Sequence, residues 1–114
     1  MALLNACTEV TKSALHIREP MEKWSISNAT LLGDAAHPMV PFMAQGACMA
    51  IEDAVVLTRA LDGADLDNVP ERLRIYENVR LERTASIQRN SLANEWMKEQ
   101  GNAEWVYGYH AWDC

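Results

Sequence analysis

Apolar positions recur along this chain with two periods, and the first to appear is helical. Leu3, Leu4, Cys7 and Val10 fall at helical spacing with no Gly or Pro between them, which predicts a short helix over residues 2–13. Residues 14–19, Ala-Leu-His-Ile-Arg-Glu, alternate apolar and polar as a half-buried strand does, and Pro20 closes the run. A second strand fits residues 29–32, an uncharged run that leads straight into Gly33 and Asp34. Such a strand would be buried and would deliver a polar turn.

Residues 43–61 contain no proline, and Ala47, Ala50, Ile51, Ala54, Val55, Thr58 and Leu61 recur there at helical spacing. Met49 and Val56 make the opposite side apolar as well. A helix hydrophobic nearly all round is ordinarily buried, and its alanines and Gly46 imply close contact with another element. Two short strands and two other helices offer it little cover, so the pattern implies a surface that the chain lacks. A loop follows over residues 62–67, with Gly63 just past the helix end and Asp62, Asp65 and Asp67 for solvent.

The next helix is predicted over residues 68–90, with Asn68 and Glu71 in a capping-box pattern and Leu73, Tyr76, Val79, Arg83 and Ile87 as its stripe. Arg72, Arg74, Arg80, Arg83 and Arg89 lie on it among Glu71, Glu77 and Glu82, which reads first as a solvated, salt-bridged face and second as a binding patch. The tail collects Trp96, Trp105, Tyr107, Tyr109 and Trp112 without a strong period, so it must pack against something to be ordered. No repeat, low-complexity tract or linker divides the chain.

Composition narrows the classes. The chain has 114 residues, 49% of them hydrophobic, which suits one modest core. Sixteen acidic against ten basic residues argue against binding nucleic acid or an anionic membrane by bulk charge. Cys7, Cys48 and Cys114 are odd in number and far apart, with no Cys-x-x-Cys and no histidine at metal-ligand spacing, so no metal is expected and a reducing, cytoplasmic setting is. The opening apolar run is too brief for a signal core, and no stretch approaches the roughly 20 apolar residues that a bilayer requires.

Two features coincide between Leu31 and Asp53: a buried strand ending in Gly33-Asp34, and a small-residue helix start at Gln45-Gly46-Ala47. A carboxylate there can accept hydrogen bonds from ligand hydroxyls, and the unpaired amides of a helix start favour negative charge. Taken alone, Asp34 could equally be a turn or cap residue.

The full string is more specific. Leu31-Leu32-Gly33-Asp34-Ala35-Ala36-His37-Pro38, then Pro41, then Gln45-Gly46, then Ile51-Glu52-Asp53-Ala54 resembles the second flavin motif of class A flavoprotein monooxygenases. Arg18-Glu19-Pro20 with Trp24 before it, Tyr76-Glu77 with Arg80 and Arg83 after it, and Tyr107-Gly108-Tyr109 with Ala111-Trp112 at the end extend the likeness over nearly the whole chain. Within the family, the stretch from Pro38-Met39 through Ala47 is most similar to salicylate hydroxylases and 6-hydroxynicotinate monooxygenases.

The resemblance implies an α/β, Rossmann-like FAD/NAD(P)-binding fold, of which this chain is a mostly helical C-terminal portion with about two short strands. It divides the chain into the end of a substrate-domain region (1–27), the flavin motif (28–62), and C-terminal helices with the aromatic tail (63–114). Gly33 and Asp34 would face FAD, with Asp34 accepting hydrogen bonds from the ribityl chain. The backbone of Gln45, Gly46 and Ala47 would point N–H groups at the flavin N1 and C2 oxygen. Pro41 would wall the site against water. His37 invites a general-base reading, since its ordinary pKa lies near neutrality, but the family position implies a residue that shapes the loop. Glu52 and Asp53 read as ties to neighbouring segments, and Cys48 as a small buried side chain. The implied reaction consumes NADH or NADPH and O2 and hydroxylates an electron-rich aromatic ring, a phenol or hydroxypyridine acid.

The family's opening Gly-x-Gly-x-x-Gly turn for the ADP half of FAD is missing, because Gly33, Gly46, Gly63, Gly101 and Gly108 never approach that spacing. Most of the substrate-binding sheet is missing too, and yet the chain opens on Met1. Two expectations follow: a portion of a flavin hydroxylase that needs its missing FAD-binding region, or a non-catalytic remnant serving as a helical interaction module.

Overall fold

The computed structural model describes residues 8, 9, 11–93 and 103–113. Its elements in order are β1 (Ser25–Ile26), β2 (Ala29–Thr30), 3-10 turns at Gly33–Ala35 and Pro41–Met43, helix α1 (Gly46–Ala60), helix α2 (Val69–Ala93), helix α3 (Ala103–Tyr107), and a last 3-10 turn at Ala111–Asp113. The expectation of a mostly helical chain with about two short strands holds.

The strands form an antiparallel hairpin with Ser25 opposite Thr30 and Ile26 opposite Ala29, turned by Ser27 in the left-handed region at φ 53°. A two-stranded hairpin is marginal in water by itself. Here α2 holds it: the buried Glu77 carboxylate accepts the N–H groups of Trp24 (2.7 Å) and Ser25 (2.5 Å). Beside it Trp24, Ala36, Val56, Ala60 and Tyr76 form the core, with Met21, Leu31, Leu57 and Val79 packed around them. Hairpin, flavin-motif turn and both long helices thus share one small core.

Several local expectations change. Residues 14–19 are not a strand: Leu15 and Ile17 are exposed, and no described segment offers a partner edge, without which alternation cannot make a ladder. The first strand is instead Ser25–Ile26. Of the helix expected over 2–13, positions 2–7 and 10 lie outside the described residues, and the described remainder is not helical. The helix expected over 43–61 begins at Gly46, because Ala44 takes φ 52° and breaks the run after the 3-10 turn. At the start of α2 the Asn68 side chain accepts the Asp65 N–H, while Asp65 Oδ1 accepts the N–H groups of Asp67 and Asn68. This turn-type cap replaces the expected capping box.

The larger correction concerns burial. Met49, Asp53, Val56 and Ala60 face inward from α1, whereas Ala47, Ile51, Ala54 and Thr58 of the expected apolar stripe are exposed. On α2, Arg80 and Arg83 are buried rather than solvated; Arg74 and Arg89 do face outward. Cys48 is exposed and free, against the expectation of a small buried side chain; Cys7 and Cys114 lie outside the described residues. Trp96 does too, while Trp105, Tyr107 and Trp112 pack only partly.

Candidate functional site

The flavin-motif segment leaves β2 and turns at once. Gly33 sits at φ 61°, and its carbonyl accepts the N–H groups of Ala36 (2.8 Å) and His37 (2.9 Å), which folds the chain into a tight 3-10 turn. A side chain at Gly33 would be strained by that conformation and would also bring its Cβ to 3.3 Å from the Ala50 Cβ. The turn therefore lies directly against α1.

Asp34 is exposed, and its carboxylate makes no hydrogen bond or ion pair with any described residue. It points toward the start of α1: a Cβ built on Gly46 would lie 3.8 Å from Asp34 Oδ1 and 3.8 Å from Met39 Cγ. Gly46, Ala47 and Cys48 form the first turn of α1, where the N–H groups have no carbonyl four residues back within the helix, and the first helical bond runs from Met49 N to Gln45 O at 2.9 Å. Gln45 is buried by its side chain and makes no side-chain cap bond, while Pro41 is exposed at the head of its 3-10 turn. Gly33, Asp34, Gln45, Gly46 and Ala47 are thus brought into one neighbourhood.

The set suits the ribityl and pyrimidine side of a flavin. An unpaired carboxylate is an acceptor for hydroxyls, unpaired helix-start amides are donors for an electron-rich carbonyl edge, and the space over Gly46 admits close approach. No group of three His, Cys, Asp or Glu that could hold a metal occurs among the described residues.

His37 is not available to a substrate. Its ring is buried at 1% exposure, and Nε2 lies 2.6 Å from Asp53 Oδ2. Nδ1 has no hydrogen-bond partner among the described residues, and the ring packs 5.4 Å from that of Trp24. The general-base reading of His37 gives way to a structural hydrogen bond, because a side chain closed off in the core cannot reach a reacting atom.

Asp53 sits at the centre of what holds the turn. Burial opposes its charge, but hydrogen bonds from His37, the Gly33 N–H (3.0 Å) and Arg80 Nε (2.7 Å) outweigh that and keep the carboxyl below the usual carboxylate range. Arg80 is itself pushed up: burial disfavours its charge, while Asp53 and then Glu52 hold it. Tyr76 donates to the Leu31 carbonyl at 3.2 Å, and burial followed by the nearby Asp53 charge raises its phenol. Glu52 takes Arg80 Nη1 at 2.7 Å and a two-pronged pair from Arg83 Nε and Nη2, both at 2.8 Å. Glu52 and Asp53 are the ties expected of them, though neighbours on a helix share one arginine.

Other side chains fasten the same loop by its carbonyls. Arg18 donates to Ala35 O (2.5 Å) and Ala36 O (2.8 Å), Gln88 to Pro38 O (2.9 Å), and Ser91 to Val40 O (2.6 Å). Sequence reasoning assigned none of these roles. One signal was there: Arg80, Thr84, Gln88 and Ser91 recur at helical spacing and are all buried, a polar stripe along α2.

Arg83 also binds the end of the chain. It donates to the carbonyls of Trp105 (2.9 Å) and Val106 (3.1 Å) and lies 3.8 Å from the centre of the Tyr109 ring. A cleft of about 640 Å3 opens there, lined by Val79, Glu82, Arg83, Trp105 and Tyr109, and contains none of the predicted flavin residues.

Comparison with known proteins gives the family. The FAD binding domain family matches residues 6–91. The chain is 46% identical over 108 residues to the 6-hydroxynicotinate 3-monooxygenase of Bordetella bronchiseptica, covering 95% of this chain and 28% of that protein. It is 56% identical over 70 residues to the 3-hydroxybenzoate 6-hydroxylase of Klebsiella oxytoca, covering 61% and 17%. The crystal structure of FqzB superposes with a TM-score of 0.77 at 36% identity, over 88% of this chain and 27% of that one. The chain therefore spans under a third of each of these relatives. With its turn, helix start and buried Asp53 set out as above, the chain belongs to the FAD binding domain family of class A FAD-dependent aromatic hydroxylases.

Proposed function

We propose that this chain is the C-terminal, flavin-contacting part of an FAD-dependent monooxygenase of Rossmann-like fold that hydroxylates a small aromatic acid, a phenol or hydroxypyridine, using NADH or NADPH and O2. The observation that carries it is the exposed Asp34 carboxylate, unpaired among the described residues, beside the open amides at the start of α1. Residues 28–62 are the flavin-facing unit in this reading. When bound, FAD supplies the electron transfer from the nicotinamide and the activation of O2.

The chain's own residues bind and orient. Asp34 accepts hydrogen bonds from the ribityl hydroxyls, and Gly33 gives the turn the backbone angle that sends Asp34 outward. The amides from Gln45 through Ala47 stabilise negative charge on the pyrimidine edge, and Gly46 leaves room for that approach. Pro41, exposed beside them, excludes water from the reacting side. The ADP half of the cofactor and most of the substrate pocket come from sequence of the kind that makes up the rest of the relatives. Two names among the relatives, acting on 6-hydroxynicotinate and on 3-hydroxybenzoate, support an acidic aromatic substrate.

The test is flavin retention. The purified 114-residue chain should be colourless, and the same chain joined to a segment bearing a Gly-x-Gly-x-x-Gly turn should hold FAD and show NAD(P)H oxidation stimulated by an aromatic acid. In that assembly Asp34→Ala should weaken FAD retention more than it alters substrate preference. Unchanged FAD affinity would remove Asp34 from the site.

A further inference from the structure

One carboxylate grips the flavin-facing turn at both of its ends. Asp53 Oδ2 accepts the Gly33 N–H at 3.0 Å, where the turn begins, and the His37 Nε2–H at 2.6 Å, where it closes. Asp34 lies between these points in sequence, exposed and with Oδ1 near Gly46 at the start of α1. Asp53 Oδ1 accepts Arg80 Nε at 2.7 Å, so both oxygens of the carboxylate are engaged, and Arg80 itself also meets Glu52 at 2.7 Å and the Met49 carbonyl at 3.4 Å. Gly33 occupies the left-handed region, which glycine adopts without the strain that a side chain would bring, so the turn starts where Asp53 takes hold of it.

A plainer account would make Asp53 and Arg80 an ion pair that only joins two helices. Glu52 argues against it. That second carboxylate already joins α1 to α2 through Arg80 and Arg83, at 2.7 and 2.8 Å, yet it does not reach the turn. Asp53 alone spends its second oxygen on the turn. We propose that Asp53, acting with His37, is the positioning residue that aims Asp34 at the FAD ribityl chain. This inference rests on the reading of Asp34 as the FAD-holding residue.

The experiment compares four variants in the FAD-holding assembly, the chain joined to a segment bearing a Gly-x-Gly-x-x-Gly turn, stripped of flavin and retitrated by fluorescence quenching well below the unfolding midpoint. Asp53→Asn and His37→Ala should raise the FAD dissociation constant roughly tenfold or more, the scale of one lost charged hydrogen bond. His37→Gln keeps an N–H donor for Asp53 and should recover most of that loss. Glu52→Gln keeps an acceptor for Arg80 and Arg83 and touches no part of the turn, so it should raise the dissociation constant several-fold less than Asp53→Asn does. Amide hydrogen exchange at residues 33–37, read without FAD, should accelerate in Asp53→Asn and His37→Ala while α1 and α2 stay protected.

Equal loss of FAD affinity in Glu52→Gln and Asp53→Asn would overturn the proposal, since general helix joining would then explain both. If Asp53→Asn does not fold, the His37 pair decides: His37→Ala with wild-type affinity overturns it, and loss restored by Gln supports it. The two readings fail separately. Should Asp34→Ala leave FAD affinity unchanged, the assignment of Asp34 falls, while exchange at 33–37 still reports whether Asp53 holds the turn.

Discussion

One side of α1 carries Met49, Asp53, Val56 and Ala60 against the rest of the molecule, and the other carries Ala47, Ile51, Ala54 and Thr58 toward solvent. Asp53 is 0% exposed and Ile51 is 66% exposed, so the charged residue is inside and the large aliphatic one is outside. Hydropathy alone would invert them. What decides is pairing: Asp53 has three donors waiting, from Gly33, His37 and Arg80, and a buried charge is tolerated only with such partners. The outer face meets no described residue that would reward burial.

The contrast can be broken most severely at Asp53. Asp53→Ala removes one of the two carboxylates that hold the buried Arg80 and leaves the Gly33 N–H and His37 Nε2 without that acceptor, and should cost about 3 kcal/mol by urea denaturation. A loss below about 1 kcal/mol would mean that water reaches the pair, as it does at surface ion pairs.

Protonating the same carboxyl should act in the same direction, less strongly. Because Asp53 is held below its unfolded value, its contribution is fully present above the unfolded carboxylate pKa of about 4 and is lost as pH falls through that value toward the folded one. Urea midpoints measured from about pH 5 down to pH 3 should therefore fall, and the fall should be shallower in Asp53→Asn. An identical acid limb in both proteins would assign the acid sensitivity to other carboxylates.

The outer face provides the smallest effect. Ile51→Ser should change stability by no more than about 0.5 kcal/mol, as exposed substitutions do. A loss of more than about 1 kcal/mol in the purified chain would show that something covers the face in solution.

Much of the architecture was legible in the string of residues. The two long helices lie within a few residues of their expected bounds, since one helix shows a clear stripe and the other a proline-free apolar run. The turn at Gly33 and Asp34 was legible from residue type and spacing, because a left-handed turn beside a helix start accepts few residues other than glycine. Residues 14–19 were misread for a physical reason: alternation records a preference for a half-buried ladder but not whether a partner edge exists.

What the sequence determined alone is therefore local: helix extent, the turn, the small residues at the start of α1, and through them the family. Only the tertiary structure decided which face of α1 lies inside, that Arg80 and Arg83 are buried, and that His37 is closed off against Asp53 and Trp24. Those outcomes depend on partners far along the chain, with Arg80 and Asp53 27 positions apart and Arg83 and Glu52 31 positions apart. A charge is expelled or buried according to whether such a partner arrives, and no local window of sequence contains that information.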